Sequence, residues 1–432
     1  MISSIGRQKR ELTPVLLLVI KNKLAQTLTK LLVLTYTLRQ PSNLLPHLLS
    51  LVHTHPPSSP STSVTPPPLN AYSCSLVLST LQDLSLTLGS DASIRAAKTK
   101  EAISRDGKVK DEIRAHHAAT LVGEVWNIVE ECLAKVTPDG LRDGAGQRTL
   151  NAANAVDLAA QAVRVAGNYA TWVDISLMVT PRTVQLLMSL LSHPHVTLRS
   201  AATDALLEIV QKGMKPRDRL ELFKVLGIQN ILPHLEYSTR SQGTHRNIQN
   251  LGLIGAEVDG KGAVLNGFHA SAEASTTSGV EFREKVARLA DGISTELGRI
   301  VDDQSTSADA AAAKLAAADM LDEHMQVVLL FLADEDDGPA EQAIPGLQYV
   351  LGSYKKLKKR ATAAQQASDR IFSEKQIALL KNIMQVTLLK MRYDEDAQWT
   401  GTGAEEDDED DDPDEDTDEE EAAFTQLRKV SD

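Results

Sequence analysis

A run of cationic side chains at positions 355–360 is the feature of this sequence best suited to binding a ligand. Lys355, Lys356, Lys358, Lys359 and Arg360 place five positive charges in six positions. Such side chains can contact nucleic-acid phosphates, and each phosphate that they neutralise releases bound counterions. A solvated turn between helices, or a helix end whose carbonyl groups attract cations, gives the same pattern. The sequence leaves both interpretations of this basic cluster open.

A second group of cations, the N-terminal cationic set, lies on a predicted helix and the loop after it. Its members are Lys98, Lys100, Arg105, Lys108 and Lys110. The same two interpretations apply to this set. Neither group alternates with aromatic residues, so neither is expected to stack on the bases of a single strand. Recognition of the shape and backbone of a structured RNA would need only cations placed on a concave surface.

An acidic segment, residues 405–421, carries 15 Asp and Glu side chains. The formal net charge of −13 therefore comes from this segment, and the rest of the chain is close to neutral. The segment repels phosphates, and it is too highly charged to fold unless a basic partner neutralises it. We interpret it either as a solubilising surface loop or as a segment that pairs with a basic partner.

The remaining motifs do not predict catalysis. Residues 255–262 resemble a phosphate-binding P-loop, but Gly262 stands where that motif needs a Ser or Thr to hold Mg²⁺, and no strand precedes it. We interpret them as a Gly-rich insertion, and a nucleotide-binding enzyme would rest on this motif alone. Two pairs of nearby histidines, at 116–117 and 193–195, lack partners at metal-ligand spacing. The sequence predicts no catalytic residue, metal site or cofactor, and no enzyme.

Helical periodicity dominates the elements that must position these residues. Apolar residues recur at helical spacing, and no stretch alternates as a strand does. The first helix is apolar on most sides and is predicted to be buried. Two helices are predicted in residues 12–54, separated at Pro41. The other predicted helices span 70–88, 91–104, 111–136, 151–168, 181–192, 198–210, 216–226, 280–301, 308–332, 339–354 and 374–393.

The central helix pair is the most clearly defined of these elements. Thr180 precedes Pro181, which predicts a Thr N-cap followed by Pro at the first helical position. The second helix of the pair is expected to end at Lys212 and Gly213, with the glycine in the left-handed conformation. Neither helix can bury its apolar stripe alone. The sequence therefore predicts an all-α, HEAT-type helical-repeat solenoid, a superhelix of antiparallel helix pairs.

The predicted segments follow from these patterns. They are an N-terminal helical-repeat segment at 1–54, a Pro/Ser/Thr-rich linker at 55–69, helical repeats at 70–236, a Gly/Ser-rich loop or insertion at 237–278, further repeats at 279–393, an acidic disordered loop at 394–422 and the start of a helix at 423–432. Two cysteines, Cys74 and Cys132, make no disulfide framework. The cationic residues before Leu12 mimic a signal peptide, but no cleavage site follows and lysines interrupt the apolar run. Neither a signal peptide nor a membrane insertion is expected.

Three stretches resemble one family. The central stretch reads Trp172-Val-Asp-Ile-Ser-Leu and then runs from Leu198 to Met214, and it is similar to the exportin-T family, the tRNA nuclear export receptors of the importin-β (karyopherin) class. Residues 20–26, 391–396 and 423–429 resemble further parts of that family in the same order. Because the family is much longer, the resemblance implies an N-terminal-to-middle fragment.

The resemblance implies a function without covalent chemistry. Such a receptor binds tRNA cooperatively with Ran-GTP in the nucleus, contacts nuclear pore proteins, and releases tRNA in the cytoplasm after GTP hydrolysis. Residues 1–54 would hold part of the Ran-binding region, and the acidic segment would pair with Ran or control tRNA access. The alternative is a helical-repeat scaffold that binds protein partners.

Overall fold

The computed structural model describes residues 14–36, 43–53, 69–89, 96–136, 152–253, 276–305, 307–363 and 371–391. These residues form sixteen helices, and the only extended pairing among them is an isolated antiparallel bridge between His53 and Leu69. The all-α prediction is confirmed. None of the helices in these ranges has the length and hydropathy needed to cross a membrane.

The chain divides into two compact units at Lys212 and Gly213. The helices of unit 1 are α1 (Pro14–Tyr36), α2 (Leu44–Ser50), α3 (Ala71–Leu88), α4 (Lys100–His116), α5 (Ala118–Leu133), α6 (Ala152–Ala170), α7 (Ile175–Met178), α8 (Pro181–Leu191) and α9 (Val196–Val210). This boundary lies inside the segment 70–236 that the sequence predicts as one run of repeats.

Helix α6 forms the centre of unit 1, where it packs against α3, α5 and α9. Its Ala and Val side chains from Ala155 onward are buried, and the hydroxyl of Tyr169 donates a hydrogen bond to the carbonyl of Leu81 at 3.1 Å. Gly167 lies so close to α9 that an added Cβ would come within 2.8 Å of the Cα of Ala205. A glycine is therefore needed where these two helices touch.

The central pair, α8 and α9, has the expected HEAT-type hairpin. Thr180 accepts a hydrogen bond from the backbone of Thr183 and completes a capping box before Pro181, as predicted. Arg199 donates to the carbonyls of His193 and Pro194, each at 3.0 Å, and so ties the turn to α9. The predicted apolar stripe of α9 is fully buried.

Unit 2 contains α10 (Pro216–Leu226), α11 (Ile228–Thr239), α12 (Gln242–Asn250), α13 (Thr277–Val301), α14 (Ala308–Leu332), α15 (Asp337–Ala363) and α16 (Glu374–Lys390). Helix α13 is central and packs against α14 and α15, while α16 packs against α14. The apolar residues at helical spacing in α13 are all buried, at Val286, Leu289, Ile293, Leu297 and Ile300.

Two helix boundaries differ from the prediction. The single helix expected at 111–136 is in fact two helices, because α4 ends at His116 and α5 begins at Ala118. Residues 97–99, inside the helix expected at 91–104, are not helical, and α4 begins at Lys100, where the Thr99 side chain caps it; residues 91–95 lie outside the described residues. Periodicity continues through His117, so only the backbone turn there reveals the break.

The end of α9 also differs. Gly227, not Gly213, has the left-handed conformation, with φ of 63° at the end of α10. Lys212 donates to the carbonyls of Ala170 at 2.7 Å and Val173 at 2.6 Å. The ammonium group therefore binds the C-terminal end of α6 rather than the end of its own helix.

The loop predicted at 237–278 is partly helical. Helix α11 continues to Thr239, α12 lies inside the predicted loop, and α13 begins at Thr277. The Ser241 side chain accepts a hydrogen bond from the Thr244 backbone and caps α12. Helix α12 is short and mostly polar, so its sequence carries no strong apolar period.

Two apolar helices are only partly buried. On α1, Leu24, Leu31 and Leu34 are 45–54% exposed, so one side of the helix predicted to be buried faces solvent. On α16 the apolar residues at helical spacing are Ile377, Leu380, Ile383, Met384 and Leu388; Ile383 is buried with Leu379 and Val386, whereas Ile377, Met384 and Leu388 are exposed. Both helices are apolar on two sides, and packing against neighbours decides which side is buried.

Candidate nucleic-acid interface

The basic cluster lies on α15, beyond the part of the helix that packs into unit 2. The buried positions of α15 are Ala340, Ala343, Leu347 and Val350, all before the cluster. Lys355, Lys356, Lys358 and Lys359 are exposed, and Arg360 occupies the next helical position. The cluster is thus part of a helix, and the alternative of a turn between helices is wrong.

Helical spacing spreads the charges over a broad side of α15. Lys355 and Lys359 are one turn apart, so their side chains share a face. Lys355, Lys356 and Lys359 point away from the buried stripe, because each position advances about 100° around the helix. Exposed ammonium groups on one helical surface can contact successive phosphates without reading any base.

One acidic contact is seen at the cluster. The Lys356 Nζ atom lies 3.6 Å from Asp302 Oδ2, and the two side chains are 64% and 39% exposed. The Tyr349 hydroxyl also donates a hydrogen bond to Asp302, at 2.9 Å. Burial is the larger cause, and this carboxylate the smaller one, that together raise the pKa of Tyr349 to about 12. Within the described ranges, Lys355, Lys358 and Lys359 form no ion pair. They are free to bind an anionic ligand.

The part of α15 that precedes the cluster is held in place by buried polar contacts. The Tyr354 hydroxyl donates to Asp322 Oδ1 on α14 at 2.9 Å, and burial raises its pKa. Pro345 interrupts the hydrogen bonds of α15, and the backbone N–H of Gly346 donates to the Asp291 carboxylate of α13. Burial raises the pKa of Asp291 to about 6. These contacts hold the cluster on a fixed helix.

The start of α15 is held by a second group of ion pairs. Arg283 donates to the buried Asp334 at 3.0 Å and also binds Asp336. On α16, the Lys390 ammonium lies 2.9 Å from Asp337 Oδ1, at the first residue of α15. The C-terminal end of α16 therefore lies beside the N-terminal end of α15.

The N-terminal cationic set is engaged inside unit 1. Lys98 donates to Asp106 Oδ2 at 2.8 Å and to the carbonyl of Thr87. Arg105 contacts the same carboxylate at 3.4 Å, and the Lys110 ammonium lies 5.5 Å from the centre of the Trp172 ring. Lys100 and Lys108 are exposed. Three of its five members, Lys98, Arg105 and Lys110, therefore make contacts within unit 1, which neither interpretation of the sequence anticipated.

The two histidine pairs do not build a metal site. His193 and His195 stack on each other with ring centres 5.4 Å apart, and His116 Nε2 lies 3.5 Å from Glu112. Across the part of the chain that the structure describes, no three His, Cys, Asp or Glu side chains come together as metal ligands. The P-loop-like residues 255–262 and the acidic segment lie outside the described residues.

Unit 2 has buried charges and a cavity that sequence reasoning missed. A cavity of about 330 Å³ lies between α11, α13 and α14, with mainly apolar walls. His324 in its wall donates to the carbonyl of Ala290 at 2.7 Å, and burial lowers its pKa to about 4. Glu236, also in the wall, pairs with Arg240 at 2.5 Å. Of these features, only the Glu236–Arg240 pair could be recognised in the sequence, because its two residues are one helical turn apart.

Comparison with known proteins identifies families and relatives that match this chain. A family model described as Exportin 1-like protein matches residues 18–206, and an Exportin-T model matches residues 311–430. Exportin-T of Mycosarcoma maydis is 39% identical over 385 residues, which cover 88% of this chain and 32% of that protein. Exportin-T of Coprinopsis cinerea is 34% identical, with the same shares of both chains.

A third relative, Exportin-T of Laccaria bicolor, is 29% identical over 88% of this chain and 31% of its own length. The two family models include the stretches at 20–26, 391–396 and 423–429 that suggested the resemblance. The chain spans about one third of the length of the curated relatives it matches. The matched segments, the helical architecture and the identity over most of the chain agree, and the chain belongs to the exportin-T family.

Proposed function

We propose that this chain is part of a nuclear export receptor that binds tRNA cooperatively with Ran-GTP. The observation that supports this proposal most strongly is the 39% identity to an Exportin-T over 88% of the chain. The receptor shuttles, loading tRNA in the nucleus and releasing it in the cytoplasm when GTP is hydrolysed, and it contacts nuclear pore proteins on the way. It works by binding and conformational change, as a transport receptor rather than an enzyme.

The basic cluster supplies the RNA contacts in this proposal. Its exposed lysines sit on a helix anchored by Tyr354 and Asp291, so little order has to be gained when RNA binds. Lysines act on phosphates as point charges and carry no sequence information. The cluster therefore recognises the backbone of a folded RNA, and the shape of the surrounding helices selects tRNA.

Ran-GTP and tRNA are linked in this mechanism by a coupling free energy. If Ran-GTP raises the affinity for tRNA by some factor, tRNA must raise the affinity for Ran-GTP by the same factor. Loss of the γ-phosphate then lowers the affinity for both ligands together. Residues 1–54 supply part of the Ran-binding surface, through the exposed stripe of α1 that includes Leu24, Leu31 and Leu34.

The test is fluorescence anisotropy of labelled tRNA with the full chain, with and without GTP-loaded Ran, across a salt series. Ran-GTP should strengthen binding, and salt should weaken it. The variant K355Q/K356Q/K358Q/K359Q should lower the slope of log affinity against log salt by about 3, since each phosphate contact contributes a little under one unit. The control is K100Q/K108Q, which removes exposed lysines from α4 of unit 1. Equal losses in both variants would contradict the assignment of the cluster.

A second candidate function is a helical-repeat scaffold that binds protein partners. The exposed apolar stripe on α1 favours it, because Leu24, Leu31 and Leu34 form a row on the solvent side of the helix. Under this alternative, tRNA binding is absent at every salt concentration, with or without Ran-GTP. Binding of Ran-GTP alone, lost in the variant L24E/L31E, would then identify the chain as a protein-binding scaffold.

A further inference from the structure

We infer that the cavity between α11, α13 and α14 binds a small, uncharged molecule that has an apolar body and one hydroxyl group. The inference concerns unit 2 alone and does not depend on RNA or Ran binding. Three features support it: the size and lining of the cavity, a ring nitrogen of His324 that has no partner among the described residues, and a carbonyl group that Pro233 leaves without its helical donor.

The cavity has room for a compact ligand, and its buried walls are apolar. Its volume of about 330 Å³ is near the lower end of the range for ligand pockets and roughly twice that of a cavity of about 150 Å³ that holds benzene. A ligand of about a dozen non-hydrogen atoms therefore fits. Ile293 and Leu297 of α13 and Val327 and Leu330 of α14 line the cavity and are buried. Such walls hold water poorly, and they gain contacts when an apolar body fills the space.

The charged groups of the lining do not call for an ionic ligand. Gln229 and Glu323 are exposed, and the Gln229 side chain donates to the Glu323 carboxylate at 3.1 Å, which joins α11 to α14 at the solvent side. Farther in, Arg240 donates to both oxygens of the Glu236 carboxylate and neutralises it. The buried part of the lining, as far as the structure describes it, therefore carries no uncompensated charge. An uncharged ligand is favoured, because a bare charge in an apolar cavity is costly.

His324 supplies a hydrogen-bond acceptor in this lining, although the residue is only 7% exposed. Its Nε2 atom donates to the carbonyl of Ala290 at 2.7 Å, and burial keeps the ring neutral by lowering its pKa to about 4. In that neutral ring the other nitrogen, Nδ1, is an acceptor. Nδ1 has no protein partner in the described ranges, and none of the unpartnered side-chain atoms sealed from solvent in those ranges belongs to His324. Nδ1 is therefore open to the cavity that the ring lines.

Helix α11 offers a second acceptor. Pro233 lies inside this helix and has no N–H, so it cannot donate to the carbonyl of Gln229 one turn earlier. Both residues line the cavity. Acceptors beside apolar walls select a ligand that brings a donor, because an acceptor left unpaired in such a place is costly. A hydrocarbon of the same size would fill the space but leave these acceptors unpaired, so it should bind less tightly.

Binding is tested on the full chain with 2-naphthol, which has about eleven non-hydrogen atoms and one hydroxyl group, and with naphthalene as the matched hydrocarbon. Equilibrium dialysis should show saturable binding of one 2-naphthol per chain, at least about tenfold tighter than that of naphthalene. The alcohol should also raise the temperature of thermal unfolding, because it binds only the folded chain. Equal affinities for the two probes, or no saturable binding of 2-naphthol, would overturn the inference.

A variant that fills the cavity locates the bound probe. Val327→Trp places a large side chain in the wall formed by α14 and should abolish the saturable binding of both probes. The matched control is Val225→Trp, because Val225 is exposed on α10 and is not part of the lining. The control should bind both probes as the wild type does. Binding that persists in Val327→Trp, or that is lost equally in both variants, would place the probe elsewhere and contradict the inference.

A second variant tests the acceptor and remains informative if Val327→Trp does not fold. His324→Leu removes Nδ1 and keeps an apolar side chain, while the Ala290 carbonyl still accepts a hydrogen bond from the Ser294 hydroxyl at 3.0 Å. This variant should bind 2-naphthol about tenfold more weakly and naphthalene as the wild type does. A general disturbance of the cavity would weaken both probes alike, and that result would show that His324 does not select the hydroxyl group.

Discussion

The two cationic groups look alike in sequence but differ in availability. Each has five cations in a short stretch of sequence. In the N-terminal cationic set, Lys98 and Arg105 share Asp106, and Lys110 lies over Trp172. In the basic cluster, Lys356 has one distant acidic contact and its lysine neighbours are exposed. A local count of charge therefore says little about binding, which depends on where the opposing carboxylates lie in the fold.

The two cationic groups differ in what they contribute to the stability of the fold. In unit 1, burial of Asp106 requires cations to neutralise it, so the lysine and arginine stabilise the fold. In unit 2, the anchoring of α15 is done by Tyr354, Asp291 and Arg283, and the lysines beyond them contribute nothing to packing. Stability measurements should therefore separate the two groups clearly.

The largest effect is expected for Asp106→Ala. Its carboxylate is 8% exposed and lies 2.8 Å from Lys98, so removing it leaves the Lys98 ammonium without its carboxylate partner and with the Thr87 carbonyl only. The free energy of unfolding should fall by about 2–3 kcal/mol, measured by urea denaturation. The matched change at the basic cluster is Asp302→Asn, whose side chain is 39% exposed and keeps an oxygen that can accept from the Tyr349 hydroxyl. It should cost no more than about 1 kcal/mol, and equal costs would remove the distinction between the groups.

The next effect concerns the support of the basic cluster, and it depends on pH. Burial raises the pKa of Asp291 from 3.8 to about 6, so the folded protein holds this proton more tightly than the unfolded chain. The resulting stability is fully present below pH 3.8 and is lost as pH rises through about 6. Asp291→Asn keeps an oxygen that can accept the Gly346 N–H and has no such titration.

At pH 7 the Asp291→Asn protein should therefore be more stable than the wild type by about 1–2 kcal/mol, after allowance for partial exposure. The difference between the two proteins should shrink as the pH falls toward 4. Urea denaturation at several pH values measures it. A difference that does not change with pH would mean that Asp291 does not titrate in the folded state.

Much of the fold could be predicted from the sequence, because helical periodicity and capping are local. Thr180 and Pro181 mark a helix start, and the stripe of α13 predicts its buried face. The wrong predictions lie where tertiary packing decides which side of a helix is buried. Helices α1 and α16 are apolar on two sides, and no local pattern says which one a neighbour covers.

The candidate site was only half predictable for the same reason. The basic cluster was found by its composition, but Asp302, which approaches Lys356, is far away in sequence. The buried pairs Arg283–Asp334 and Arg219–Glu296 also join distant positions. Their partners become visible only when helices are stacked. Distinguishing an exposed cationic cluster from one engaged within the fold thus required the three-dimensional arrangement.

A smaller effect is expected for Lys110→Ala. The ammonium lies 5.5 Å from the centre of the Trp172 ring, and such a cation–π contact stabilises by about 0.5–1 kcal/mol at a partly exposed site. Lys108→Ala, two positions away and exposed, is the control and should be close to neutral. Thermal unfolding monitored by tryptophan fluorescence measures both. Equal losses would mean that the contact with Trp172 does not stabilise the fold.

The smallest effect on stability, and the most informative for function, is expected for Lys356→Ala. Its pair with Asp302 is long, at 3.6 Å, and solvated, so the free energy of unfolding should change by less than about 0.5 kcal/mol. The same substitution should still lower tRNA affinity and remove one unit or slightly less from the salt slope. Lys98→Ala should do the opposite, because Lys98 is bound to Asp106: it should destabilise the fold and leave the salt slope unchanged. A protein in which both lysines affect stability and RNA binding equally would mean that the two cationic groups have the same role.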